Sequence, residues 1–455
     1  MMDKIQNPRA RMSEIEVVRY AKGSIRLGKV PIGNKDFELL GYLPFLKSRT
    51  DYNLLMEGDY EKRKITGAVL PIWMIRSPII TNLRASTAIE LKQATISREK
   101  NKRQEFLMSA TIFESTKPLV GEPMSEYYYY NFKKDELRKC KEGIHEIIYK
   151  TFLSGDEKEK PDMEKYYNRW QDIVNQGHML SVQTHNLEYQ RAGKMDIVLP
   201  TNVIIRQEHP EALDIALEAN KAAELATEMK GVPKEAVADY YLIHYNVFEN
   251  KAFAAKVIDA LIDRHFNRTG KKFIFIKITN EAVMEQFTYR INFYELLAAL
   301  DTIRNNTEDT VIVLLNAGAL GLACMGKIDA YSEPMDGQTI DKGGWPIKRL
   351  DNMKGRWYDP KTRIFWKFSK VQEYWQTRNA LPAEGKYGRA IGGIDPSTQT
   401  DHIWNMSIRR KHLLEERSIE LVLLEEEAKK NGVSAAVWLK QRLIDSETPN
   451  LAKLL

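Results

Sequence analysis

Cysteine is nearly absent: Cys140 and Cys324 are the only two in 455 residues. Two thiols so far apart exclude a disulfide framework and any Cys-rich zinc site. The eight histidines never fall into a metal-ligand spacing such as HExxH. No metal and no cofactor is therefore expected, although Asp, Glu and His ligands gathered only by the fold stay open. No apolar run approaches the roughly 18 residues of a membrane span, and the opening stretch MMDKIQNPRARMSEIE holds no hydrophobic signal core. These absences lead us to expect a cytoplasmic protein with no membrane partner. Neither GxGxxG behind an early strand nor GxxxxGK[ST] occurs, so the signatures of dinucleotide and P-loop binding are missing too.

What is present is the composition of an ordinary globular protein, 43% hydrophobic and 29% charged. The length allows one large barrel with appendages or two to three domains. The net charge of +6 decides little, but its distribution says more. Gln338 to Asn379 holds ten Lys or Arg and four acids, a surplus of six that equals the whole chain's. Four of the eight tryptophans, Trp345, Trp357, Trp366 and Trp375, lie in the same stretch. Basic residues interleaved with aromatics suit phosphate contact and base stacking. The bland alternative is a basic hairpin whose tryptophans form a core. On the first reading Lys348, Arg349, Lys354, Arg356, Trp357, Lys361, Arg363 and Trp366 are the nucleic-acid-binding candidates.

Along the chain, residues 1–40 read as a weakly patterned polar arm. Gly41 to Leu46 and Ile65 to Ile80 are strand candidates edged by prolines. Ala85 to Arg103 and Lys133 to Leu153 have helical patterns, Phe106 to Phe113 is a short apolar run, and Tyr127 to Tyr130 has no assigning period. Gly155 to Asp162 is a charged loop, and Lys165 to Gln176 is a further helix. From about Leu180 the order becomes regular. Helix His185 to Ala192 leads to strand Asp196 to Pro200, then helix Pro210 to Met229 and strand Asp239 to Val247. Helix Asn250 to His265, strand Lys272 to Ile278, helix Arg290 to Ile303 and strand Val311 to Leu315 follow. Four alternations at about 35–40 residues each predict parallel strands with right-handed crossovers. The expected fold is α/β, a (β/α)8 TIM-type barrel with helical and loop insertions and a C-terminal helical segment; an open doubly wound sheet is the alternative. The chain then divides into the arm (1–40), the main barrel (41–337, with an insertion at about 120–165), the basic Trp-rich region (338–400) and C-terminal helices closing the barrel (401–455). Within the last two, Gly385 to Asp401 reads as a glycine-rich loop, His402 to Lys430 as a long helix, and Ser434 as the cap of a final helix through Leu443.

Chemistry in α/β enzymes sits at the carboxyl ends of parallel strands. That rule selects Thr201, Asn202, His244, Asn246, Lys277, Asn316 and Gly318 as binding candidates. It also selects Asp329, Ser332, Glu333 and Asp336, just beyond Val311 to Leu315, as catalytic ones. Carboxylates crowded at a rim raise one another's pKa, which suits general acid/base work. Each has a structural alternative: His244 between tyrosines suits a satisfied core histidine, and Asp329 suits a turn cap. Lys277 lies on the opposite strand face from Ile276 and Ile278, in the interior or mouth of a barrel.

The segment MLSVQTHNLEYQRAGKMDIVLPTNVI resembles that of the tRNA-guanine transglycosylase superfamily in which a helix with "IQ…LGAD" leads to a strand and a base-holding aspartate. LLNAGALGLACMGKIDAYSEPMDG is similar to that family's later "G-[VA]-D-x-F-D" segment, whose last aspartate is the nucleophile. DHIWNMSIRRKHLLEERSIE resembles its closing helix. The likeness spans roughly residues 180 to 420 and rests on pattern and order.

The resemblance implies an enzyme that exchanges or modifies a purine or 7-deazapurine base in nucleic acid. It departs from the family at several positions. The base-holding aspartate falls on Thr201, the nucleophile on Ser332 and a base-contacting glutamine on His244. The glycine-rich loop falls on Ile278-Thr279-Asn280-Glu281. Phe113-Glu114 stands where a "GGFQ" loop is expected, with Ser109 for its aspartate, and the zinc subdomain cannot form. DNA is therefore favoured over ordinary tRNA, as in the branch that inserts 7-deazaguanine into DNA, with Glu333, Asp336 or Asp329 acting for the lost carboxylate. A catalytically inactive nucleic-acid-binding paralogue, and a barrel lyase or aldolase using Lys277 as a Schiff-base amine on a small metabolite, are the competing expectations. A homodimer is left open, as is whether Glu105 to Glu122 belongs to the mouth.

Overall fold

The computed structural model describes residues 12–46, 49–71, 116–123, 163–266, 272–279, 290–306, 309–315, 317–335, 357–366, 368–396 and 408–446. The helices expected at 85–103 and 133–153, the 106–113 and 127–130 runs and the 155–162 loop lie outside them.

The structure is a (β/α)8 barrel. Its wall comprises β4 (Gly41–Phe45), β5 (Ala68–Pro71), β6 (Leu119–Glu122), β7 (Ile197–Val198) with β8 (Ile204–Ile205), β9 (Asp239–His244), β10 (Lys272–Thr279), β11 (Thr310–Leu315) and β12 (Ala330–Pro334). All pairings are parallel, and the ring closes where β12 pairs with β4. β7 and β8 are two pieces of one interrupted strand. β7 pairs with β6, β8 pairs with β9, and Val198 bridges Val237 across the break. The near-continuous apolar strands Val311–Leu315 and Phe273–Ile276 are buried, as expected for strands covered on both faces.

The interruption follows from sequence. Pro200 has no N–H to give a ladder, and side-chain amides of the preceding helix satisfy the neighbouring backbone instead. Asn186 and Gln190 donate to the Leu199 carbonyl at 2.9 and 3.0 Å. Gln183 grips Thr201 at both its N–H and its carbonyl, at 3.1 and 2.7 Å. Asn202 donates to the Tyr240 carbonyl at 2.6 Å. The backbone of Thr201 and the side chain of Asn202 thus hold the wall together.

Around the ring lie α1 (Arg49–Met56), α2 (Met163–Asn175), α3 (Met179–Ala192), α4 (Ala212–Met229), α5 (Lys251–His265), α6 (Arg290–Asn306), the short α7 (Gly318–Cys324) and α10 (Arg409–Lys430). α10 takes the eighth helical position, between β12 and β4. α11 (Gly432–Ile444) follows it, capped by Asn431, whose side chain accepts from the Ser434 N–H; Ser434 lies inside the helix and is not its cap. Between β12 and α10 a small module intervenes: hairpin β13 (Trp357–Asp359) and β14 (Ile364–Trp366), α8 (Phe368–Arg378) and α9 (Lys386–Gly392). The expected glycine-rich loop therefore contains a helix. No helix among the described residues is long and apolar enough to cross a membrane.

The polar arm is also more ordered than its composition suggests. β1 (Glu14–Tyr20), β2 (Gly23–Ile32) and β3 (Lys35–Glu38) form an antiparallel meander that seals the amino-terminal end of the barrel. Phe37 of β3 meets Phe273 of β10 edge-on at 5.3 Å between ring centroids.

Candidate active site

Which side chains face the barrel interior follows from strand alternation. Tyr241 points outward, its hydroxyl 2.9 Å from His265 of α5. Tyr331 points outward too, its ring filling the space that a Cβ on Gly321 of α7 would need. Hence Tyr240, Leu242 and His244 face inward, and so does Ser332, while Glu333 faces out. Register carries the assignment to β10, where Lys277 pairs with Leu242 and Thr279 with His244.

The group at the centre of this interior is Glu122, the last residue of β6. It is fully buried, and its Oε1 lies 2.7 Å from the Tyr240 hydroxyl and 3.6 Å from Lys277 Nζ. β6 and β10 are separated by the β7/β8 strand and β9, so this contact is made across the lumen. Two hydroxyls in the same interior, Thr279 Oγ1 and Ser332 Oγ, are buried with no hydrogen-bond partner among the described residues. Buried polar groups are normally satisfied, so unpaired ones mark places where something else can bind.

Above them, the β8–β9 sector of the mouth carries a second polar set. Asn246 donates to both Glu208 oxygens at 2.7 Å, and Arg206 lies 3.4 Å from the same carboxylate. Burial opposes the Glu208 charge, but its own backbone N–H, Asn246 and Arg206 together hold it below the ordinary carboxylate range. His244 Nδ1 accepts from the Asn246 N–H at 3.4 Å. Burial, helped by the Arg206 charge, lowers the imidazole to about 4. His244 is thus neutral at pH 7, with its remaining proton on Nε2 as a donor.

No family model matches the chain, and no curated protein matches it in sequence. The site therefore has to be judged on its own geometry.

That geometry does not gather the acids expected at one rim. Asp329 precedes β12 at the opposite, sealed end of the barrel, fully buried beside Arg304 at 3.1 Å and Arg26 at 3.6 Å. Glu333 turns outward to α10, where Arg417 holds both its oxygens at 2.5 and 3.2 Å. Their crowding was inferred from closeness in sequence, whereas strand alternation and the length of β12 separate them. Asp336 and Asn316 lie outside the described residues, and Gly318 begins α7.

In the basic stretch, the structure follows the core-hairpin alternative at the described positions. Trp357 and Trp366 are buried with Val371 and Leu381 as the core of the module. Arg363 is buried against Glu420 at 3.1 Å, and Lys361 is exposed. Lys348, Arg349, Lys354 and Arg356 lie outside the described residues. Sequence reasoning passed over Glu122, Tyr240, Arg206 and Glu208. For Glu122 a signal existed: LVGEP is a short apolar run ended by an acid and a proline, the form of a barrel strand reaching its rim.

Proposed function

We propose that the chain is a transglycosylase-like enzyme that exchanges or modifies a purine or 7-deazapurine base in nucleic acid, DNA before ordinary tRNA, with Glu122 as its working carboxylate. The observation that supports this is a buried carboxylate at the carboxyl end of a barrel strand, fixed by Tyr240 and Lys277, in an interior that also holds the Thr279 and Ser332 hydroxyls, neither bonded among the described residues. Base exchange needs a carboxylate at the anomeric carbon. In the proposed reaction a Glu122 oxygen bonds C1′ as the bond from C1′ to the base nitrogen breaks. The bonding pair leaves with the departing base, which takes up a proton. The entering base then loses its ring N–H proton, bonds C1′ and frees the carboxylate. Ser332, where the resembled family has its nucleophile, faces the same space and suits a hydrogen bond to the sugar or base. The basic residues 342–356 follow directly on the mouth end of β12 in sequence, which suits contact with the strand from which a base is drawn.

The test is mass-detected base exchange on DNA and RNA oligonucleotides with wild type, Glu122→Gln and Glu333→Gln. We expect Glu122→Gln to lose at least about 100-fold, and Glu333→Gln, which also breaks a buried ion pair but faces α10, to keep its exchange wherever it stays folded. Full exchange by Glu122→Gln would remove Glu122 from the chemistry.

One second reading has its own support. Lys277 is an almost fully buried amine in a barrel interior, the setting of a Schiff-base lysine. Borohydride trapping of a carbonyl substrate on Lys277, with no oligonucleotide binding at low salt, would replace the first reading with this one.

A further inference from the structure

His412, Glu415 and Glu416 take no part in the barrel mouth. Their spacing of three and four residues sets them on one face of α10, beneath the module of β13, β14, α8 and α9. All three are buried, and one ligand atom from each can be chosen so that all lie within 4.8 Å of one another.

The imidazole is held in one tautomer. It stacks on Trp357 at 4.0 Å, and its Nε2 lies 2.7 Å from the Tyr358 carbonyl. A carbonyl only accepts, so Nε2 carries the proton and Nδ1 keeps its lone pair. That Nδ1 is fully buried, has no hydrogen-bond partner among the described residues, and faces Glu416 Oε1 at 3.4 Å. Two acceptors facing each other in a dry interior call for something electropositive between them.

Charge leads to the same need. No lysine or arginine among the described residues forms an ion pair with Glu415 or Glu416. Their partners are backbone N–H groups: Tyr387 and Gly388 for Glu415, at 2.9 and 2.7 Å, and Glu384 and Gly385 for Glu416, both at 3.0 Å. Two buried carboxylates without a cation are costly. The N–H groups fix their orientation, as outer partners fix metal ligands, and leave lone pairs on both Glu415 oxygens and on Glu416 Oε2. A Cβ on Gly388 would lie 2.4 Å from Nδ1, so glycine keeps that approach clear.

We propose that His412 Nδ1, Glu415 and Glu416 bind a divalent transition-metal cation, of the zinc, manganese or ferrous kind, on the face of α10 that the module covers. One imidazole nitrogen with two carboxylates suits those ions in charge and ligand type.

The experiment uses the full-length protein, stripped with a chelator and titrated with Zn2+ by calorimetry and by thermal unfolding. We expect one equivalent to bind and raise the unfolding midpoint, and both effects to vanish in Glu416→Gln. Should that variant not fold, Glu415→Gln carries the same comparison. A glutamine at 416 imitates a protonated glutamate, which separates the two ways of filling the gap. If wild type binds no zinc and Glu416→Gln is as stable as wild type or more so, a shared proton occupies the site and the proposal is overturned. Zinc binding that survives in both variants would place the ion elsewhere, and would overturn it equally.

Discussion

The two ends of the barrel bury charge in opposite ways. At the sealed end, Arg304 spends its guanidinium on the Ile328 carbonyl at 2.6 Å, Asp329 at 3.1 Å, the Gly326 carbonyl at 3.0 Å, Asp301 at 3.0 Å and the Ser24 carbonyl. Asp329 also accepts from the Ile312 N–H at 2.8 Å, and Arg26 donates to the Thr310 carbonyl at 2.6 Å. At the open end, Glu122 meets Lys277 and Tyr240, but Thr279 Oγ1, Ser332 Oγ and Asn246 Oδ1 find no partner among the described residues. An interior polar group left unbonded costs about 1–3 kcal/mol, so the end where Arg304 and Asp329 are densely bonded is built for stability and the end with three unbonded side-chain oxygens for a visitor.

The largest expected effect breaks the sealed end. Asp329→Ala removes the carboxylate that Arg304 and Arg26 share, and urea unfolding should show a loss of about 3–5 kcal/mol. A loss below about 1 kcal/mol would mean that the two ends do not differ in kind.

Lowering pH attacks the open end through His244. Its folded-state pKa of about 4 lies below the ordinary 6.5, so its contribution is present above pH 6.5 and is lost as pH falls from 6.5 towards 4. The full difference is on the order of 3 kcal/mol. Urea midpoints at pH 7 and 4.5 should fall further in wild type than in His244→Gln; equal falls would assign the acid sensitivity elsewhere. The smallest effect sharpens the contrast. Ser332→Ala removes a hydroxyl that satisfies nothing among the described residues, so chemical denaturation should move by less than about 1 kcal/mol, while the proposed base exchange should weaken. A large destabilisation would show that Ser332 belongs to the framework after all.

The regular half of the barrel was legible because each crossover announces itself. Pro210 to Met229 has a helical period, and KFIFIKI and TVIVLL are unbroken apolar runs. β1 to β3 were not, because the exposed Glu14, Glu16, Arg19 and Lys29 and the buried Arg26 mask its buried apolar residues Ile25, Leu27, Val30 and Phe37. For the site, the strand-end rule picked out His244 and Ser332, and single-strand alternation set Lys277 towards the interior or mouth. It could not locate Glu122, whose strand has four residues and lies far from its partners in sequence. Nor could it show that Arg417, 84 residues on, already holds Glu333. Strand ends are local facts, whereas partners across a barrel are not.

The Phe37 plug carries a kinetic consequence. With Phe37 of β3 packed on Phe273 at the amino-terminal end, a group that binds beside Glu122 would approach from the carboxyl ends of the strands, so bulkier side chains on the β8–β9 rim should slow its entry and its release alike.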